Sequence, residues 1–156
     1  MDDRLFRDAM GKFATGVTVI STKVDERVHG MTANAFMSVS LNPKLVTISV
    51  ATHAKMHSLL KQSGKYAVNF LTEDQKPLSM LFAGQMKDEP FEVDFDELGG
   101  TPVIPDSLAV VACDIVEAYD VGDHTLFVGA VTDIQVNEGE PLLFHAGKYS
   151  RKHEFA

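Results

Sequence analysis

Gly30-Met31-Thr32-Ala33-Asn34-Ala35-Phe36-Met37-Ser38-Val39-Ser40-Leu41-Asn42-Pro43 laces a hydrophobic run with small hydroxyl and amide side chains. A segment destined only for a core has no use for so many polar groups. Thr32, Asn34, Ser38 and Ser40 fall at even spacing, so an extended chain turns all four to one face. A polar row of that kind suits a flat ligand that needs many hydrogen bonds and little charge.

The flanking sequence is rich in strand signals. Upstream, Asp2 or Asp3 can cap a helix whose stripe is Leu5, Phe6, Ala9, Met10 and Phe13, with Gly11 weakening its end. Val17 to Thr22 is β-branched, Asp25-Glu26-Arg27 reads as a turn, and Val28 to Thr32 pairs back as a hairpin arm. Downstream, Lys44 to Ala51 alternates as a strand, and Lys55 to Ser63 reads as a helix closed by Gly64. Lys65 to Leu71 returns to strand. Thr72 opens another helix with Leu78, Leu81 and Phe82 on its apolar face, ended by Gly84.

Met86 to Asp106, with three prolines and Gly99-Gly100, reads as a long excursion with few periodic features. Ser107 to Ala118 and His124 to Val136 predict long strands, with a bulge or bend at Gly129. A short final strand runs from Pro141 to His145. Many strands, few short helices and glycine bends predict a mainly β chain, closed or partly closed into a barrel.

Composition narrows the function. At 156 residues the chain fits one domain spanning 1–156, domains running to roughly 100–200 residues. The net charge of −8, with no large Lys/Arg cluster, argues against nucleic-acid binding. No run reaches the ~18 apolar residues of a membrane span. The acidic Met1-Asp2-Asp3-Arg4 start is unlike a signal peptide, so a cytoplasmic location is expected. Cys113, the single cysteine, sits in an apolar run and reads as a buried structural thiol. The acidic run from Asp88 to Glu97 reads as a solvated loop, since its spacing misses the EF-hand pattern.

Familiar motifs are absent. No Gly-x-Gly-x-x-Gly follows a strand, no phosphate-binding Walker loop occurs, and no nucleophile elbow is present. His53 and His57 stand four apart but lack the Glu of a zincin helix. No metal site is expected. Two polar clusters remain. Thr52-His53-Ala54-Lys55-Met56-His57-Ser58 places cationic and hydroxyl groups at a helix N-terminus, fit for a phosphate; a plain polar loop leading into a surface helix would look the same. Gly122-Asp123-His124 precedes a strongly β-patterned run, and a His that only caps a strand turn would look the same.

The order and spacing of several segments resemble the short-chain flavin reductase family. They are Phe13 to Ile20, Met31 to Pro43, Lys65 to Leu71, Phe82-Ala83-Gly84, Gly122-Asp123-His124, Pro141-Leu142-Leu143 and Gly147-Lys148-Tyr149. The resemblance implies an FMN-binding split β-barrel, and a homodimer whose second subunit completes the flavin cleft. It implies that Thr32, Ala33, Asn34, Ala35 and Ser38 line the isoalloxazine, with Ser40 close by. His53, Lys55 and Ser58 match the region that holds the phosphate. Phe82 to Gly84 would approach the flavin, His124 would lie where the nicotinamide stacks, and Tyr149 would lie nearby. Ala35 stands where the family often has Ser, which removes a hydroxyl contact.

The implied activity is reduction of FMN or FAD by NADH or NADPH, with reduced flavin passed to a separate oxygenase. Two rivals share the fold. One is a flavin- or heme-handling carrier without nicotinamide-dependent turnover. The other is a relative of pyridoxamine-phosphate oxidases, which needs a basic substrate-phosphate site; the four arginines, Arg4, Arg7, Arg27 and Arg151, do not cluster to make one.

Overall fold

The structure is a computed structural model and describes residues 1–155. Helix α1 (Asp3–Gly11) is capped by Asp2, whose carboxylate accepts from the Arg4 N–H at 3.0 Å. Its stripe forms as expected, yet nothing on it is buried: Leu5, Phe6 and Met10, with Phe13 just beyond, are exposed. Strand β1 (Thr15–Gly16) leads into the hairpin β2 (Thr18–Val24) and β3 (Arg27–Ala33). Their two-residue turn puts both Asp25 and Glu26 in the left-handed region, φ 51 and 63, as a tight hairpin requires.

Strands β4 (Phe36–Ser40) and β5 (Leu45–Ala51) follow. Helix α2 (Lys55–Ser63) ends on Gly64, left-handed at φ 70, whose N–H donates to the Leu60 carbonyl. After β6 (Lys65–Phe70), the Thr72 N–H donates to Gln75 Oε1 at 3.0 Å and opens a 3₁₀ turn, Glu73–Gln75. That turn runs on into α3 (Lys76–Phe82).

The segment expected to be a long excursion with few periodic features contains a small hairpin, β7 (Asp96–Leu98) and β8 (Thr101–Val103). Gly99 and Gly100, at φ 58 and 79, make its turn, and Val103 and Ile104 are buried. The long strands β9 (Ala109–Val121) and β10 (His124–Val136) pair antiparallel, and the register shifts between Val128 and Gly129, where the bulge was expected. A Cβ at Gly129 would lie 2.9 Å from the Tyr66 hydroxyl, so the close crossing needs glycine. The chain closes with β11 (Leu142–His145) and β12 (Lys148–Arg151), turned through Ala146 and Gly147.

Seven strands form one antiparallel sheet in the order β3-β2-β6-β9-β10-β5-β4. Strands β3 and β4 are consecutive, yet five strands lie between them. Flat, that sheet would separate them by roughly 29 Å at ~4.8 Å per step. Only Asn34 and Ala35 join them, a reach of roughly 10 Å. The sheet must therefore roll, and Phe36 on β4 meets Phe70 on β6 with ring centroids 5.1 Å apart. The barrel core packs Ile20, Ile48, Leu60, Tyr66, Val68 and Phe127. Asn69, fully buried, ties β6 to its neighbours: its amide donates to the Val19 carbonyl and Ser21 Oγ, and its carbonyl accepts from the Ile104 N–H.

The rolled edge overturns the single polar row. Thr32 is the last residue but one of β3, Asn34 sits in the crossing, and a register shift separates Ser38, paired with Val46, from Ser40, paired with Leu45. Adjacent partners on β5 point to opposite faces, so Ser38 and Ser40 diverge. Even spacing in sequence does not survive a bend and a bulge.

Candidate functional site

The crossing from β3 to β4 opens a cleft against α3 and β12. Its volume is about 190 Å³, and Val17, Thr32, Ala33, Asn34, Ser79, Ala83, Gln85, Phe144 and Tyr149 line it. An apolar groove of about 670 Å³ along α1 adjoins it, sharing Asn34 and Phe144. Together they have the make-up of a ligand site: apolar walls carrying a few placed polar groups. One buried polar atom among the described residues, Thr15 Oγ1, has no partner, and Thr15 lines this groove.

The polar groups of the cleft are held in a chain. Thr32 Oγ1 donates to the Ser79 carbonyl at 2.6 Å, which leaves the oxygen free only to accept from a ligand. Ser79 Oγ and the Tyr149 hydroxyl lie 2.7 Å apart, and Lys76 Nζ sits 5.3 Å from the centre of the Tyr149 ring. Ser79, Gln85 and Phe144 were not foreseen. Ser79 lies beside the expected face of Leu78, Leu81 and Phe82 and is fully buried, so only its contacts reveal it. Phe82 turns its ring onto Gly30 and towards Phe95, leaving Ala83 as the residue of its trio that lines the cleft.

A second group forms where α2 meets the β9–β10 hairpin. The Thr52 N–H and hydroxyl both donate to the Asp123 carbonyl, at 3.0 and 3.2 Å. Asp123 Oδ1 accepts from His124 Nδ1 at 2.7 Å. That bond, then the charge of His124, holds the Asp123 carboxyl below the usual range, with His53 adding a smaller pull. The N-terminus of α2 has no side-chain cap, since Ala54 occupies that position. Lys55 is exposed and makes no ion pair among the described residues. Ser58 spends its hydroxyl proton on the Lys55 carbonyl at 3.3 Å.

Strand β3 joins the two groups. At one end His29 feels Lys55; at the other, Thr32 bonds to α3. Burial, then Lys55, then Arg27 push the His29 pKa down. Ala35, Ser38 and Ser40 lie outside the cleft lining. A separate opening of about 750 Å³, between the start of α3 and Glu138 to Glu140, is rimmed by Glu73, Asp74, Glu92, Asp94 and Asp106. It holds none of the candidate residues, and its charge would repel a phosphate.

A family model described as a flavin reductase like domain matches residues 10–153. An NADH-dependent flavin reductase from a Rhodococcus species is 43% identical over 146 residues, covering 92% of this chain and 82% of that one. The reductase component of 4-hydroxyphenylacetate 3-monooxygenase from Thermus thermophilus is 37% identical, covering 94% of each. Among solved structures, the flavin reductase PheA2 in its native state superposes with a TM-score of 0.97 at 62% identity, covering 99% of this chain and 100% of that one. The chain belongs to the flavin reductase family, and its rolled sheet is the family's split barrel. No helix among the described residues is long and apolar enough to cross a membrane.

Proposed function

We propose that this chain is an NAD(P)H:flavin oxidoreductase that reduces FMN or FAD and supplies the reduced flavin to a separate monooxygenase. The observation that carries the reading is the pairing of a small-residue cleft on β3 with a clamped His124 on the hairpin beside α2. A bound flavin supplies a hydride acceptor, and the nicotinamide supplies the donor. The chain's own task is placement, because hydride transfer needs the two rings held in register.

Each group has a role in that placement. Thr32 offers a hydroxyl oxygen to a ring N–H, while Ala33 and Asn34 let the backbone come close. Lys55 and the uncapped start of α2 attract the phosphate, with His53 beside them. Asp123 holds the Nδ1 proton of His124, so Nε2 is left to meet the nicotinamide carboxamide. Tyr149, fixed by Ser79, closes the cleft wall. We further propose a cytoplasmic homodimer. The exposed stripe of α1, Phe6, Met10 and Phe13, borders the groove that a second subunit would complete.

The test is anaerobic mixing of the protein with FMN or FAD and NADH or NADPH, following flavin bleaching. Repeated turnover of excess flavin is expected. Bound flavin that neither nicotinamide reduces would replace this reading with a carrier, and absence of flavin binding would overturn it entirely.

A further inference from the structure

A hydrogen-bonded chain runs beneath His124. Thr125, the next residue, is fully buried, and its hydroxyl donates to Asp120 Oδ1 on the facing strand at 2.7 Å. A hydroxyl has one proton, so its 2.7 Å contact with His57 Nε2 makes the oxygen an acceptor there. His57 must therefore carry its proton on Nε2, whether the ring is neutral or charged. The ring has little freedom to leave, since it stands edge-on to Phe127 at 5.4 Å. Thus α2 is bolted to the β9–β10 hairpin one residue from His124, while Thr52 holds the hairpin tip through Asp123.

We propose that Asp120, Thr125 and His57 form a positioning relay that sets His124 against the first turn of α2, and so fixes the nicotinamide relative to the flavin phosphate. The proposal rests on the reading of His124 given above. Three features support it. The relay's bonds all run in one direction, so each fixes the next. Its central hydroxyl is dry, so water does not substitute for a lost partner. It also joins the two elements that carry Lys55 and His124, and Thr125 follows His124 directly in the chain. These three are positioning residues; none of them needs to touch substrate.

The variant Thr125→Val keeps the β-branched shape and removes both bonds, and Thr125→Ser keeps the hydroxyl. Stopped-flow reduction of the flavin-loaded protein by NADH, flavin affinity and the nitrogen NMR signals of His57 are measured on both and on His124→Ala. Thr125→Val is expected to weaken NADH binding by roughly tenfold and to leave flavin affinity within about twofold. It should also release the His57 proton from Nε2, and Thr125→Ser should restore all three. Wild-type NADH binding in Thr125→Val, or equal loss of flavin and NADH, overturns the relay while His124→Ala remains impaired. If Thr125→Val does not fold, the Ser variant decides: NADH binding well below wild type despite an intact His57 signal overturns the relay. Failure of the wild-type protein to reduce flavin overturns the function and the relay together.

Discussion

The ring of Phe82 lies so close to Gly30 that a Cβ there would stand 2.6 Å from Cδ1 and 2.7 Å from Cε1. The contact seats the last turn of α3 on β3, two residues before Thr32. It also explains why Phe82, though adjacent to the cleft, spends its ring on the scaffold. A glycine in mid-strand ordinarily weakens a sheet; here it makes room for the helix.

Gly30→Ala should therefore force Phe82 and α3 outward. Overpacking of this kind costs about 1–3 kcal/mol, read as a lower urea midpoint. Phe82→Leu in the same chain should recover most of the loss. Full stability in Gly30→Ala alone would show that the ring yields without resistance.

Much of this framework was legible in the residues. Gly64 announces the end of α2, Asp25-Glu26 the hairpin turn and Gly129 the bulge, because each departs locally from what its element tolerates. The irregularities between Val131 and Asp133 and between Ser38 and Ser40 have no glycine to betray them, and the latter breaks the polar row. Strand β12 is four polar or half-exposed residues without alternation. The β7–β8 hairpin hid behind glycines and prolines that read as loop. Of the cleft, the β3 residues were legible from their chemistry. Ser79 and Phe144 were not, because they reach it only through tertiary packing of α3 and β11.

Cys113 gives a test of the core that is independent of function. Burial raises its thiol to about 12, only partly opposed by its bonds with Tyr66. At pH 8 the thiolate is then roughly 10⁴-fold rarer than the thiol. Iodoacetamide should leave the native protein unlabelled over hours and modify it fully once unfolded in urea. Rapid native labelling at pH 8 would place Cys113 outside the closed barrel.

Lys55→Ala should act on two observables at once. Loss of a charge-assisted bond worth about 1.5–3 kcal/mol should weaken FMN binding roughly 10- to 150-fold. The His29 pKa, followed by proton NMR, should rise towards 6.5 without reaching it, since burial is the largest cause of its depression and Arg27 remains. The sign for stability follows. A depressed His pKa means that the unfolded chain binds the extra proton first, so stability falls as pH drops through 6.5 and levels off below the folded value. Lys55→Ala should narrow that window. An unchanged His29 titration would separate Lys55 from β3, and unchanged FMN affinity would remove it from the phosphate site.

His124 and Asp123 make a pair whose two members should fail differently. His124→Ala removes the group placed to meet the nicotinamide, so anaerobic flavin reduction by NADH should slow by about 10- to 100-fold. Flavin affinity should hold, because the cleft on β3 and the phosphate group at Lys55 do not depend on the imidazole. Asp123→Asn keeps a carbonyl that can accept the Nδ1 proton, so the ring stays oriented while the attraction of a full carboxylate is lost. The reduction rate should change far less than in His124→Ala. A His124→Ala protein that loses flavin and NADH in equal measure would make this residue a prop for the hairpin rather than a nicotinamide contact.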